Sequence, residues 1–204
     1  MSRFGVESQY TFRKTLVTKL RKTENVDTKL NNLCEKLFEI ACEVNEELHY
    51  QFHGSMEENY QSAFSSELKR KKFIYHSETV IELHYKGFPV KEIEADYVLL
   101  PGGPNKFNQN IVIEVKHPVS QGLAKTRLQL FTYLHSGPTN NNPLTGKLRY
   151  GILLIWPTQN NPEISKDGRY AELSKPVPKP LMELWKSTNS TKRNKFELLK
   201  TWGE

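Results

Sequence analysis

The chain reads as an α/β protein, a mixed central sheet flanked by helices, and three observations predict it. An apolar stripe at three- and four-residue steps runs from Leu30 to Leu48, the mark of an amphipathic helix. Three short runs rich in β-branched and aliphatic residues, Tyr97–Leu100, Ile111–Val115 and Tyr150–Trp156, are the length of buried strands. The last two are separated by a helical pattern, and a strand–helix–strand unit implies at least one parallel pair.

The elements follow in order. Residues 1–26 form a basic arm, with Arg3, Arg13, Lys14, Lys19, Arg21 and Lys22 against Glu7 and Glu24, and a helix is expected near Thr11–Lys22. Asp27 or Thr28 can cap the striped helix, whose inward face holds Leu30, Leu33, Cys34, Leu37, Ile40, Ala41, Val44 and Leu48. A turn near Gly54 leads to a second helix, Ser55 to about Lys71, with Met56, Tyr60, Ala63, Phe64 and Leu68 on one side. Phe73–Tyr85 and Lys91–Leu100 alternate as strands and pair as a hairpin across Gly87-Phe88-Pro89. A loop over 101–110 precedes the strand Ile111–Lys116, which Pro118 ends. Gln121–Leu134 is a helix with Leu123, Leu130, Phe131 and Leu134 facing in. An Asn/Pro/Gly-rich loop over 136–147 leads to the strand Leu148–Trp156. Lys175-Pro-Val-Pro-Lys-Pro180 is too proline-rich for a helix or central strand. Beyond it, Leu181–Trp185 and Phe196–Trp202 are short amphipathic pieces. The expected division is a basic arm (1–26), one catalytic-sized domain (27–160), and an extension (161–204) packed on or beside the core.

Composition narrows the function little. With 204 residues the chain can bury one sizeable core. A net charge of +6 permits nucleic-acid binding without demonstrating it. The apolar runs are too short to span a bilayer, and no secretory signal is read at the start. The expected setting is intracellular, nucleus or cytoplasm; the basic, acid-poor residues 1–22 also suit a mitochondrial presequence. Cys34 and Cys42 are too few for a zinc or iron–sulfur site of cysteines alone and read as core thiols.

The chemistry concentrates at Ile113-Glu114-Val115-Lys116-His117. Successive strand residues face opposite ways, so Glu114 and Lys116 share a face with Cα atoms roughly 6.6 Å apart. Asp96, at the end of the preceding strand, can meet that face. The ordinary use of a Glu-Val-Lys tripeptide is a cross-strand or solvated ion pair. The alternative is a divalent-metal site, because Mg²⁺ favours carboxylate and carbonyl oxygens. Its ligands would be Asp96, Glu114 and the carbonyl of Val115. Lys116 would orient an attacking water and balance charge during phosphodiester hydrolysis.

Two further groups bear on the choice. Glu57 and Tyr60 are three apart on the second helix, within Gly54-Ser-Met-Glu57-Glu-Asn-Tyr60, and a helix N-terminus favours such acids in any case. Gln129 and Tyr133 are four apart on the helix after the lysine. Together these residues resemble the PD-(D/E)XK nuclease superfamily, and within it the GxxExxY branch. Gly54, Glu57 and Tyr60 match the motif that names the branch, Asp96 and Glu114-Val115-Lys116 the catalytic core, and Gln129 with Tyr133 the QxxxY motif of RecB-like members. Ala95 stands where the superfamily name has proline.

That resemblance implies a restriction-endonuclease-like αβββαβ core over about residues 30–156 and a nuclease using Mg²⁺ or Mn²⁺. It implies that Asp96 and Glu114 hold the metal and that Lys116 is catalytic. Glu57 would assist metal binding through water or hold a second ion. Gln129 and Tyr133 would position the substrate backbone or the lysine. His49 or His53 lies where some RecB-like sites place a metal-binding histidine, although a surface or turn role is simpler. DNA is the expected substrate, chosen by structure or ends rather than sequence. An RNA endonuclease, or an inactive nucleic-acid-binding scaffold on the same fold, are the alternatives. Lys69, Arg70, Lys71 and Lys72 at the end of the second helix, with Lys125 and Arg127 beside Gln129, are the expected nucleic-acid contacts. A homodimer or a protein partner is compatible with the tail carrying Trp185 and Trp202.

Overall fold

A computed structural model describes residues 27–50, 57–117, 122–158, 163–164, 166, 169, 171–172, 176–190 and 193–203. The basic arm, the helix expected near Thr11–Lys22, Gly54 and His53 lie outside the described residues.

Asp27 is the cap of the first helix. Its Oδ1 accepts the N–H groups of Lys29 at 2.8 Å and Leu30 at 3.3 Å, two of the donors a helix start leaves without a partner. The helix, α1, runs Thr28–Tyr50 and buries Leu30, Leu33, Leu37, Ile40 and Val44 with the free thiol Cys34. The second helix, α2 (Glu57–Arg70), buries Tyr60, Phe64 and Leu68. It ends in a Schellman turn. The Phe73 N–H reaches the Leu68 carbonyl at 2.9 Å and the Lys72 N–H reaches Lys69 at 2.9 Å. Lys72 takes the left-handed conformation that such a turn needs, with φ of 61°.

β1 (Tyr75–Tyr85) and β2 (Phe88–Leu99) form a long antiparallel hairpin. The turn falls at Lys86-Gly87 rather than at Gly87-Phe88-Pro89. Lys86 and Gly87 have φ of 52° and 87°, the pair of positive values a two-residue hairpin turn requires. Phe88 and Pro89 are thereby released into the strand. β3 (Ile111–Lys116) and β4 (Tyr150–Ile155) flank α3 (Leu123–Ser136) in sequence and pair in parallel. The two-residue strands β5 (Glu163–Ile164) and β6 (Ala171–Glu172) form a small separate sheet.

The amphipathic pieces expected over 181–185 and 196–202 are parts of two ten-residue strands, β7 (Leu181–Ser190) and β8 (Arg193–Trp202). They pair with each other and, through β7, with β4. The main sheet therefore has six strands in the order β1-β2-β3-β4-β7-β8. β3 and β4 are central, which is why residues 111–115 are buried without alternation.

Two hydrophobic layers sandwich this sheet. One joins α1 and α2 to the face carrying Ile113, Val115, Leu154 and Trp156. The other joins Leu130, Tyr133 and Leu134 of α3 to Val112, Leu153 and Ala95. Helix α3 lies close on β4: a Cβ on Gly151 would meet the Leu130 side chain at 2.8 Å. Fully burying one leucine or phenylalanine stabilises by about 1.5–3 kcal/mol, so the buried apolar side chains on both faces hold the sheet in place. The ends of β2 and β3 are held with it. Among the described residues no helix is long and apolar enough to cross a membrane.

Candidate active site

The charged residues of β3 sit at its carboxyl end, beside the carboxyl end of its parallel neighbour β4. In open α/β sheets that is where ligands bind. Val112 and Glu114 face α3, while Ile113 and Val115 face α1 and α2. Glu114 is thus a carboxylate in a position that packing would give to an aliphatic residue, and it is fully buried. Its Oε1 lies 2.8 Å from Lys116 Nζ. The contact is ionic rather than well aligned, and neither carboxylate oxygen has a hydrogen-bond partner of good geometry among the described residues. Burial, reinforced by the charge of Asp96, raises the Glu114 pKa to about 7 despite the opposing effect of Lys116.

Asp96 reaches this corner from β2. Its Oδ2 accepts the Val115 N–H at 2.6 Å, and its Oδ1 accepts from Gln61 Nε2 of α2 at 3.2 Å. Burial raises its pKa, and the Val115 N–H and the Lys116 charge work against that rise. The main chain of β3 adds a further oxygen. The Lys116 carbonyl accepts from Trp156 N–H at 2.8 Å on the β4 side. Its neighbour Val115 therefore turns its peptide groups the other way, towards Asp96.

Glu57 comes from the first turn of α2. Its carboxylate accepts from Lys116 Nζ at 3.3 Å and from the His117 N–H at 3.0 Å. Lys116 thus lies between Glu57 and Glu114. Burial acts to lower its pKa, but Glu114, Asp96 and Glu57 together outweigh burial and leave it raised. The Tyr60 ring stacks on His117 at 5.3 Å and on Trp156 at 4.6 Å between centroids. This stack ties the start of α2 to the ends of β3 and β4, which fixes Glu57 over the lysine.

On the other side, Tyr133 of α3 donates its hydroxyl to the Glu94 carbonyl at 2.6 Å and accepts from Gln129 Nε2 at 2.7 Å. Tyr133 is buried, and burial followed by the Glu114 charge raises the pKa of its phenol. Gln129 and Tyr133 line an open groove with Lys91, Glu94 and Thr132. The structure therefore gathers Glu57, Asp96, Glu114 and Lys116 at one corner, with Gln129 and Tyr133 on its flank.

The basic residues fall elsewhere. Arg70 pairs with Glu67 and Glu43, and Lys71 pairs with Glu43 at 2.8 Å. These contacts fasten the end of α2 to α1. Lys69 and Lys72 are exposed in the Schellman turn, and Lys125 is exposed on α3. Arg127 turns inward, donating through Nε at 2.9 Å and through Nη2 to Glu183 of β7, a carboxylate that is itself buried. Trp185 Nε1 donates to the same carboxylate at 2.8 Å. His49 is buried on α1. Gln61, the Glu94 carbonyl and the His117 N–H escaped the sequence reading. Only Gln61 carries a signal there, since it lies four residues after Glu57 on the same helical face. The other two contribute main-chain atoms, which no side-chain pattern marks.

The donor set suits a hard divalent cation. Two carboxylates and a carbonyl are oxygen ligands of the kind Mg²⁺ takes together with several waters. The Glu114 oxygens, which lack a well-aligned hydrogen bond beside the lysine contact, are what a metal would satisfy. Among the described residues no three His, Cys, Asp or Glu side chains form a metal-binding group by themselves. Glu57, expected to assist a metal, accepts from the lysine and from His117 N–H.

A family model agrees with this architecture. The family model described as the PD-(D/E)XK nuclease superfamily matches residues 31–165, from α1 past the end of β4. Among solved structures, the crystal structure of SSO0001 aligns over 75% of this chain and 73% of its own at 18% identity, with a TM-score of 0.33. No curated protein matches. Matched over well over half its length, with a six-stranded mixed sheet and flanking helices, the chain belongs to the PD-(D/E)XK nuclease superfamily.

Proposed function

We propose that the protein is a Mg²⁺- or Mn²⁺-dependent nuclease that hydrolyses phosphodiester bonds in DNA, selecting its substrate by structure or ends. The observation that carries the reading is Glu114, a fully buried carboxylate in ionic contact with an ammonium and beside a second carboxylate. Burying such a group costs several kcal/mol unless it is compensated, and catalysis is a reason to retain it. In this reading Asp96, Glu114 and the Val115 carbonyl hold the metal. A divalent ion held there would polarise the phosphoryl oxygen as a Lewis acid and lower the pKa of water. Lys116, kept as an ammonium by its three carboxylate neighbours, donates to the attacking water or to the phosphoryl oxygens. Glu57 holds Lys116 in place. Gln129 and Tyr133 border the groove along which a nucleic-acid strand approaches.

The pairing of Glu57 with Tyr60 supports assignment to the GxxExxY branch, and Gln129 with Tyr133 supports kinship with QxxxY members. Tyr133→Phe removes the donor to Glu94 and the acceptor for Gln129 while keeping the ring. It is expected to lower stability by about 1 kcal/mol and to raise KM more than it lowers kcat, checked by steady-state cleavage and chemical denaturation. The reading as a whole is tested on single-stranded, duplex, flapped and branched DNA and the matching RNAs, with each metal. The Lys116→Ala protein is the control. Metal-dependent cleavage of DNA, lost in the control, is expected. Turnover confined to RNA overturns the DNA assignment, and Mn²⁺ binding without any turnover indicates a scaffold.

A further inference from the structure

We propose that the loops at the amino ends of β3 and β4 form a second site, a pocket that binds a phosphate-bearing ligand of nucleotide size. The pocket holds about 570 Å³ and is lined by Asn108, Gln109 and Asn110 on one wall and by Gly146, Lys147 and Arg149 on the other. It lies at the opposite end of β3 from Lys116, roughly 17 Å away at 3.3 Å per residue, so it is distinct from the carboxylate site. The volume is in the range of small-molecule pockets.

Charge singles this cavity out. Leu148 is buried between exposed Lys147 and exposed Arg149. Lys147 closes the turn in which the Leu148 N–H reaches the Thr145 carbonyl at 3.1 Å, and both it and Arg149 line the pocket. No aspartate or glutamate lines the pocket. Among the described residues, no carboxylate pairs with either cation. Nor do the amides of Asn108 and Gln109 have hydrogen-bond partners there. Two unneutralised cations facing neutral amides describe a site for an anion with several acceptor oxygens. By contrast, the cavity beside Cys42 is lined by Glu39, Glu43, Glu46 and Glu47, and the groove at Gln129 carries two glutamates.

The walls are built in advance. Ile111 and Tyr150 are register partners in the parallel pair, so Asn110 and Arg149 lead into adjacent strands. Asn110 Nδ2 donates to the Leu144 carbonyl at 2.9 Å, tying one loop to the other. Asn142 Oδ1 accepts the Leu144 N–H at 2.9 Å, and the Asn142 carbonyl accepts the Gly146 N–H at 2.7 Å. The chain is tight here, since a Cβ on Gly146 would stand 2.7 Å from the Asn140 carbonyl oxygen. The Arg149 carbonyl accepts the Ser187 N–H at 2.8 Å from β7. A preorganised anion site loses little entropy on binding.

The test is calorimetry on the full chain in EDTA, where no cutting occurs. The probes are inorganic phosphate, adenosine 5′-monophosphate, and a short oligonucleotide with a 5′-phosphate or a 5′-hydroxyl. The wild type is expected to bind phosphate and the mononucleotide, more weakly as NaCl rises. The Lys147→Ala/Arg149→Ala double variant is expected to lose about tenfold or more in affinity with an unchanged melting temperature. Glu114→Gln is expected to bind as the wild type does. Tighter binding of the 5′-phosphorylated oligonucleotide than of the mononucleotide assigns the phosphate to a strand end, and the reverse order assigns it to a free nucleotide; both sustain the pocket. Absence of binding by phosphate and mononucleotide alike, or an affinity that survives the double substitution, overturns it.

Discussion

Glu114→Gln is expected to lower the rate of DNA cleavage by at least about 10²-fold, in line with losing one preorganised electrostatic group, while leaving the metal-free protein at pH 8 as stable as the wild type or more so. The two effects have one cause. Glu114 is fully buried, and burial, then the Asp96 charge, raise its pKa to about 7. An unfolded glutamate ionises near 4.5. Between those values the folded chain holds a proton that the unfolded chain has released, so the Glu114 contribution to stability falls as pH rises and levels off above about 7. Glutamine keeps the shape and removes the charge. The melting temperature of the wild type should therefore fall from pH 5 to pH 8 more steeply than that of the variant. Added Mn²⁺ should restore the wild type by mass action, about 2.7 kcal/mol at a hundredfold excess over Kd, and leave the variant where it was. Thermal melts over this pH range, with and without Mn²⁺, measure both. A variant that cuts at the wild-type rate, or melts well below the wild type at pH 8, contradicts the role given to this carboxylate.

The elements that were legible in the sequence are those whose periodicity is strong. The stripe Leu30–Leu48 became α1, and the apolar runs at 111–116 and 150–155 became the parallel centre of the sheet. The central charges were legible too, because Glu114 and Lys116 share a strand face whatever the tertiary structure. The C-terminal strands were not. Leu181–Ser190 and Arg193–Trp202 mix Lys, Thr, Asn and Glu with few aliphatics. Their strand character comes from hydrogen bonding to the exposed edge of β4 rather than from their own composition. The pairing of Arg127 was not legible for a related reason. Its partner Glu183 lies 56 residues on, and no local pattern announces that a cation beside a groove is directed into the protein.

The Arg127–Glu183 pair bears on how the site is held together. Glu183 is register partner to Leu153, which is register partner to Glu114. A single row across the sheet beneath α3 therefore carries both buried carboxylates. Glu183 grips Arg127 two residues before Gln129, and Trp185 and Phe196 pack on Phe131. The extension thereby sets the pose of the helix that brings Tyr133 to Glu94, so strands outside the matched family region stabilise the geometry within it.

Lys116→Ala is expected to lower kcat by about 10²–10³-fold with Mn²⁺ affinity kept within a few-fold of the wild type, or improved. The ammonium is surrounded by Glu114 at 2.8 Å and Glu57 at 3.3 Å, with Asp96 near enough to add to the rise in its pKa. A lysine so placed stays protonated throughout the physiological range. It is therefore a fixed cation and donor, not a general base. Its removal frees Glu114 of the one charge that favours ionisation, which pushes the carboxylate pKa further up. It also frees the site of the one charge that repels a metal. At pH 8 the second effect is expected to dominate, because a divalent ion compensates two carboxylates more fully than one ammonium does. At subsaturating metal, where the ion competes with the proton on Glu114, the pH–rate profile of the wild type should rise through about 7, and in the variant that rise should move to higher pH. Lys116→Met, which restores the aliphatic stem without the charge, separates packing from electrostatics and should behave like alanine in kcat while recovering stability. Steady-state cleavage against pH, paired with Mn²⁺ calorimetry, decides the matter. If either variant cuts at the wild-type rate, the hydrolytic centre is not at the end of β3.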